Sequence, residues 1–179
     1  MNAARLSRVL LSIAVLALPL SVRAEESPAP EALVGPVTRE QIEAADPDWV
    51  HSEDIAAPDA AAAKALAGVP PGAEVTVFLG TWCGDSRRHV PRLWKALDAA
   101  GGAVPFKVRY IGVDRDKKEP AADITACDVH FVPTLIVTRD GHELGRIVEE
   151  PLHGVEGDLL ALLTGEAHGV LSASQPASQ

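Results

Sequence analysis

The stretch that most narrows what this chain can become is residues 74–102, where "EVTVFLG" runs straight into "TWCGDSRRHVPRLWKALDAAGG". The first segment is rich in β-branched and aromatic residues, and it reads as a buried strand. The second reads as a helix closed by glycine, with Trp94 and Leu97 on its buried stripe. A strand that feeds a helix this directly needs a second, parallel strand reached by a right-handed crossover, and "FKVRYIGVD" (106–114) supplies it. A short helix, "PAADITACDV", comes next. "TLIVTRDGHELGRIVE" then reads as a hairpin around Asp140–Gly141, a strong turn pair. "VEGDLLALLTG" closes the series as a helix. The order β-α-β-α-β-β-α implies an α/β fold with helices on both faces of a mixed sheet.

The flanks carry less. Residues 1–24 have a basic start (Arg5, Arg8), the apolar run "VLLSIAVLALPL" and small residues at Val22 and Ala24. This is the pattern of a secretory signal, with cleavage expected after Ala24 and a periplasmic or secreted mature protein. The run is short of the ~20 residues a membrane span needs. Residues 25–36, "EESPAPEALVGP" with Glu25 first, read as a flexible leader. In 37–69, Thr38 with Gln41 three residues on forms a capping-box pattern, so a helix is expected to about Ala45, stopping before Pro47. "PDAAAAKALAG" reads as a second helix, started near Asp59 and ended at Gly68. This helical extension has too few large apolar residues to fold alone and is expected to pack on the main domain, placed at 70–166. The tail, 167–179, is expected to be disordered. The net charge of −9, more acidic once Arg5, Arg8 and Arg23 leave with the signal, argues against nucleic acid, whose binding rests on basic side chains. It also fits poorly with an anionic membrane surface. Two cysteines, Cys83 and Cys127, would suggest a structural disulfide in an exported chain, but a chain of this size can bury a core without one.

With these elements placed, the residues resemble the thioredoxin family. "FLGTWCGDS" resembles its strand, loop and active-site helix, with Trp82 before the attacking cysteine. Pro91 stands where that helix is kinked, and "HFVPT" (130–134) resembles the segment whose cis-proline, here Pro133, faces the cysteine. The resemblance covers roughly 74 to 163. It implies a thioredoxin-like three-layer α/β/α sandwich with a mixed central sheet, carrying here a short helical N-terminal extension. It further implies catalytic roles for Cys83, Ser86 and Pro133, and a substrate site formed by Trp82, Gly84, Asp85 and the backbone of Val132. Three positions depart from the pattern: Ser86 replaces the second cysteine, Val77 a buried aspartate, and Tyr110 a lysine that often accompanies it. The losses agree, because a chain without the second thiol has no use for a group that moves its proton.

At a helix start the unpaired N–H groups and the dipole favour a thiolate on Cys83, with Arg87 and Arg88 one turn on and Asp85 opposing. A Ser86 hydroxyl is expected to donate to that sulfur. Such a thiolate forms mixed disulfides that Ser86 cannot resolve, so an outside thiol must. The expected function is monothiol thiol–disulfide exchange by a monomer acting on protein or small-molecule thiols and disulfides. No bound cofactor or metal is implied; glutathione or another small thiol would be the co-substrate. A redox-silent or partner-capturing binding module is the alternative. Iron–sulfur binding, suggested by "CGDS", is opposed by Trp82 and the export signal, and "GTWCGDS" lacks the surroundings of a peroxidatic cysteine. Cys127 is expected to be a semi-buried free thiol beyond the ~7 Å reach of a disulfide to Cys83. His89 is expected at the surface and His130 in a loop; "DRDKKEP" (114–120) reads as a solvated turn.

Overall fold

The computed structural model describes residues 31–174, so residues 1–30, which include the expected signal, and the last five residues lie outside it. Its centre is a six-stranded mixed sheet: β1 (Gly35–Val37), β2 (Ala73–Leu79), β3 (Lys107–Gly112), β4 (Thr134–Arg139), β5 (His142–Val148) and β6 (Gly169–Leu171), in the order β1-β3-β2-β4-β5-β6. β2 and β3 run parallel, joined through the long helix α4 (Gly84–Ala99). β4 lies antiparallel to β2 on its other side. Strand β2 is covered on both faces, which is why its sequence shows no polar alternation. Val75, Val77 and Leu79 enter a large core with α4 and α6 (Gly154–Thr164). Phe78 enters a smaller core with Ile111, Val132 and Ile136, flanked by Ile124 and Cys127 of α5 (Ala121–Cys127). Layers of helix, sheet and helix result, as the sequence implies.

The N-terminal segment folds as part of the large core. The Thr38 capping box forms and starts α1 (Arg39–Ala45). Between Pro47 and Ala56, where the sequence gives no helical period, lies α2 (Asp48–Ile55), followed by α3 (Ala60–Ala65) and a 3-10 turn over Leu66–Gly68. Pro47 opens α2 instead of only ending α1, because a proline at a helix start loses no hydrogen bond. Trp49 is the single buried residue of α2, too few for a pattern. Its ring centroid lies 5.8 Å from that of Trp94 on α4, and Trp94 meets Tyr110 edge-on at 6.1 Å. Fully burying a tryptophan and its aromatic partner makes this a main anchor of the extension.

Both flanks correct the sequence reading at their inner ends. The leader's last residues enter β1, antiparallel to β3, with Gly35 opposite Gly112. A side chain at Gly112 would meet the Leu33 carbonyl oxygen at 2.3 Å, so the leader crosses where only glycine leaves room. Residues 169–171, assigned to a disordered tail, form β6 parallel to β5, and the Ala173 N–H continues to the Glu150 carbonyl at 2.7 Å. Both strands cap sheet edges whose unpaired N–H and C=O groups would otherwise face water or another chain. Each is three residues long, below what alternation can reveal. A half-buried ion pair ties the helical layer: the partly exposed Arg92 of α4 holds the fully buried Glu156 of α6 through two bonds of 2.5 and 2.8 Å, and the Asp59 N–H at the start of α3 adds a third at 2.8 Å.

Candidate active site

Strand β2 ends at Leu79, Gly80–Trp82 turn the chain, and Cys83 becomes the N-cap of α4 with φ −93° and ψ 125°. The cysteine therefore stands one residue before the first helical turn. Its N–H donates to the Gly80 carbonyl at 2.9 Å, and its carbonyl accepts from Arg87 N–H at 3.0 Å, so the backbone is held on both sides. The half-buried Sγ lies 3.3 Å from the Val132 carbonyl oxygen, to which the thiol donates. The Val132–Pro133 peptide is cis. Thr134 Oγ1 donates to the Phe131 carbonyl and the Glu149 N–H to the Pro133 carbonyl, each at 2.8 Å, bracing the loop opposite the sulfur. Thus Cys83, Val132 and Pro133, 49 and 50 residues apart in sequence, meet at one end of the sheet.

Ser86 does not take the part expected of it. The side chain is fully buried, and its Oγ accepts from the Gly80 N–H at 3.2 Å; no Ser86–Cys83 hydrogen bond forms. Ser86 is the third residue of α4, and its hydroxyl is tied to the residue that follows β2. The arginines are also engaged elsewhere. Arg87 pairs with Asp46 and Asp48 of the extension, both at 2.8 Å, and Arg88 with Asp85 at 2.8 Å and Glu150 at 2.5 Å. Asp85 thus has a partner of its own, and Gly84 is exposed. Trp82 is half-buried: its indole N–H donates to the Val113 carbonyl at 2.9 Å, and Arg115 and Lys117 lie over its ring at 5.7 and 6.0 Å. The ring folds back so closely that a methyl group at Gly80 would sit 2.7 Å from it.

Val77 and Tyr110 face each other in the β2–β3 register, Val77 wholly inside the apolar core. Burial pushes the Tyr110 phenol up to about 12. Both cysteines are free; Cys127 is half-buried at the end of α5, burial raises its thiol pKa, and its carbonyl accepts from Arg146 at 3.0 Å. His130 is exposed and pairs with Asp128 at 2.9 Å. His89, expected at the surface, is buried, because the extension and the Glu150 loop cover that side of α4. Burial lowers its pKa below the ordinary histidine value, with Glu150 pulling the other way. Asp114 in "DRDKKEP" accepts from the Lys118 and Glu119 N–H groups at 2.6 and 2.8 Å, closing a turn.

Sequence reasoning missed Glu149 and Glu150, which follow β5 and border the site. Glu149 has φ +55°, a conformation that favours glycine, and burial followed by the charge of Asp85 raises its pKa. Nothing in the residue order "VEEP" marks this. Two grooves are bordered by this pair, one by Glu149 and the other by Glu150. One, about 360 Å³, lies by Phe131, Thr134, Val148 and Val170. The other, about 510 Å³, starts at Gly84 and runs between α4 and the extension.

A sheet of this order with a cysteine capping the helix after its central strand defines a thioredoxin-like fold. No protein-family model matches the chain. It is 31% identical over 71 residues to the mitochondrial thioredoxin-3 of Saccharomyces cerevisiae, a match covering 40% of this chain and about half (50%) of that protein's length. Among solved structures, a protein of unknown function from Pseudomonas aeruginosa has 18% identity and a TM-score of 0.50, covering 72% of this chain and 85% of that one. An HIV epitope-scaffold has 17% identity and a TM-score of 0.51, covering 73% and 88%. Thioredoxin 2 from Pseudomonas aeruginosa, in its reduced form, matches at 22% identity over 63% of this chain and 94% of that one, with a TM-score of 0.36. The first two of these likenesses speak to the fold alone.

Proposed function

We propose that the chain is an exported thiol–disulfide exchange protein working through one nucleophilic cysteine, Cys83. The observation that carries this reading is the half-exposed Cys83 sulfur at a helix N-cap, 3.3 Å from the Val132 carbonyl beside Pro133, with serine at position 86 and Cys127 unbonded. A thiolate there attacks one sulfur of a substrate disulfide. The Cys83–sulfur bond forms as the S–S bond breaks, and the departing sulfur keeps the electron pair and takes a proton from water. Val132 offers its backbone to the incoming strand, Trp82, Gly84 and Asp85 border it, and Pro133 holds the loop. With no second thiol within the site, an external thiolate attacks the mixed disulfide and returns Cys83 with its electron pair. The disulfide bond now joins one substrate sulfur to the external thiol, the other substrate sulfur is a free thiol, and the protein is unchanged. Protein or small-molecule thiols and disulfides are the partners, and the N-terminal signal pattern supports an exchange in the periplasm or outside the cell.

The test is the intact mass of the purified chain after exposure to oxidised glutathione near neutral pH, then to a reduced thiol. Reversible addition of one glutathione, abolished in Cys83→Ala and kept in Cys127→Ala, is the expected result. An inert Cys83 in the wild type overturns the reading. A second reading, capture of a partner without turnover, has one observation in its favour: Arg87 and Arg88 spend their charge on carboxylates instead of the sulfur. A mixed disulfide that forms but survives excess reduced thiol would select it.

A further inference from the structure

Trp82, the residue before Cys83, carries on its ring two charges that the exchange chemistry leaves unused. Both residues pack against the smaller core, and the loop over 113–120 closes against the tryptophan. The Val113 carbonyl accepts the indole N–H at 2.9 Å, which ties the start of that loop to the ring. The loop is then closed on itself. Asp114 N–H donates to the Glu119 carbonyl at 3.1 Å and Lys117 N–H to the Asp114 carbonyl at 3.0 Å, while the Asp114 carboxylate takes the Lys118 and Glu119 N–H groups. Lys117 is held at φ +56°, in the region that favours glycine. This backbone sets Arg115 and Lys117 over the Trp82 ring, 5.7 and 6.0 Å from its centre.

Both cations keep their hydrogen-bond donors. Every other arginine among the described residues gives N–H groups to a carboxylate or a backbone carbonyl. The Arg115 guanidinium and the Lys117 ammonium give none to any described residue, and their one contact is the ring. The nearby acids are engaged elsewhere: Asp114 with the N–H groups of its own loop, Asp116 with Lys118 at 3.4 Å, Glu119 with the Ala121 N–H at 3.1 Å, and Asp85 with Arg88. Glu149, which feels the Lys117 charge, is held toward its protonated form by burial and by Asp85. An aromatic face attracts a cation by its charge and leaves the cation's N–H groups for an anion. The exposed Arg115 and the half-buried Lys117 therefore offer a paired positive site next to the reactive cysteine. Its occupant is small, because the chain is acidic overall, at −9. A large acidic protein is repelled along its whole surface, whereas a small molecule meets only the field within about 10 Å.

We propose that Arg115 and Lys117, steadied by Trp82, form a carboxylate clamp that selects small disulfides with an acidic group a few bonds from the sulfur as substrates for Cys83. The inference rests on the exchange chemistry above and changes no step of it. The clamp holds the acid, and Cys83 attacks the sulfur beside it.

The experiment follows adduct formation on Cys83 by intact mass with two disulfides of similar size, the anionic dithiodipropionate and the neutral bis(2-hydroxyethyl) disulfide. Wild type is compared with the double variant Arg115→Gln/Lys117→Gln, and with Lys118→Gln, which removes a neighbouring charge already paired with Asp116. Dividing the anionic rate by the neutral one cancels any change in the sulfur's own reactivity. That ratio is expected to fall about threefold or more in the double variant, as for two partly exposed ion pairs, and to stay within about twofold in Lys118→Gln. A smaller fall in the double variant, or an equal fall in Lys118→Gln, overturns the clamp and leaves the exchange function standing. A peptide disulfide flanked by glutamates that depends on the two cations when dithiodipropionate does not overturns the choice of a small substrate. Failure of both small disulfides to react with the wild type removes the exchange function itself. A second measurement does not depend on how the double variant folds. In Cys83→Ser, methylthiopropionate should shift the Trp82 indole N–H signal in NMR and methylthioethanol should not; any other pattern overturns the clamp.

Discussion

Removing the Ser86 hydroxyl separates two roles that the sequence merges. Its Oγ accepts from the Gly80 N–H at 3.2 Å, with both residues buried. In Ser86→Ala that N–H keeps no partner, at a cost of about 1–3 kcal/mol. Alanine is the better helix former by roughly 0.5 kcal/mol, which offsets part of the loss. The net destabilisation is about 0.5–2.5 kcal/mol. For a domain of this size, at roughly 2–4 °C per kcal/mol, Tm falls by about 1–10 °C. Urea unfolding should show a lower midpoint with an unchanged slope, since the surface exposed on unfolding is the same. Because no hydrogen bond links Ser86 to Cys83, the rate of glutathione addition to the folded variant should stay within about twofold of wild type, a shift below 0.5 kcal/mol. The opposite result, unchanged stability with a rate loss of about tenfold, would refute this reasoning and return the hydroxyl to the sulfur.

The other predictions concern the helical layer. Glu156→Ala frees the partly exposed Arg92 and leaves the Asp59 N–H without its acceptor, and should cost about 1–3 kcal/mol in denaturant unfolding; a loss under about 0.5 kcal/mol would show the pair to be idle. Burial pushes the Glu156 pKa up, but the Arg92 bonds and the Asp59 N–H outweigh it and hold it below 4.5. The native state therefore binds its proton less readily than the unfolded chain, and this stabilisation, complete above pH 4.5, is lost as pH falls through the native value. His89 acts in the same direction at higher pH. Its lowered native pKa makes the unfolded chain take up the proton first, so stability falls as pH drops below 6.5. The stability gap between wild type and His89→Gln should accordingly narrow on acidification below that value, measured by urea midpoints; a gap independent of pH would contradict the buried neutral ring.

Local chemistry settled much of this protein before any contact was known. The Thr38–Gln41 capping box, the Asp140–Gly141 turn, the apolar run of β2 and the glycine closing α4 each depend on residues within a few positions of one another. The same holds for Cys83 at a helix start. Tertiary structure decided where the side chains found their partners. Arg92 and Glu156 are 64 residues apart, His89 and Glu150 61, and Cys83 and Val132 49. The backbone of a histidine on a helix is the same whether another segment covers it or water does, so the burial of His89 could come only from the extension folding back. Trp49 likewise marks a helix only once Trp94 is there to receive it. The short edge strands β1 and β6 exist because β3 and β5 present open edges, a property of the sheet rather than of their own three residues. Periodicity and turn chemistry act along the chain, whereas burial and hydrogen-bond partnership act between distant parts of it. The elements are therefore legible in the residues, while the surroundings of the Cys83 sulfur belong to the folded whole.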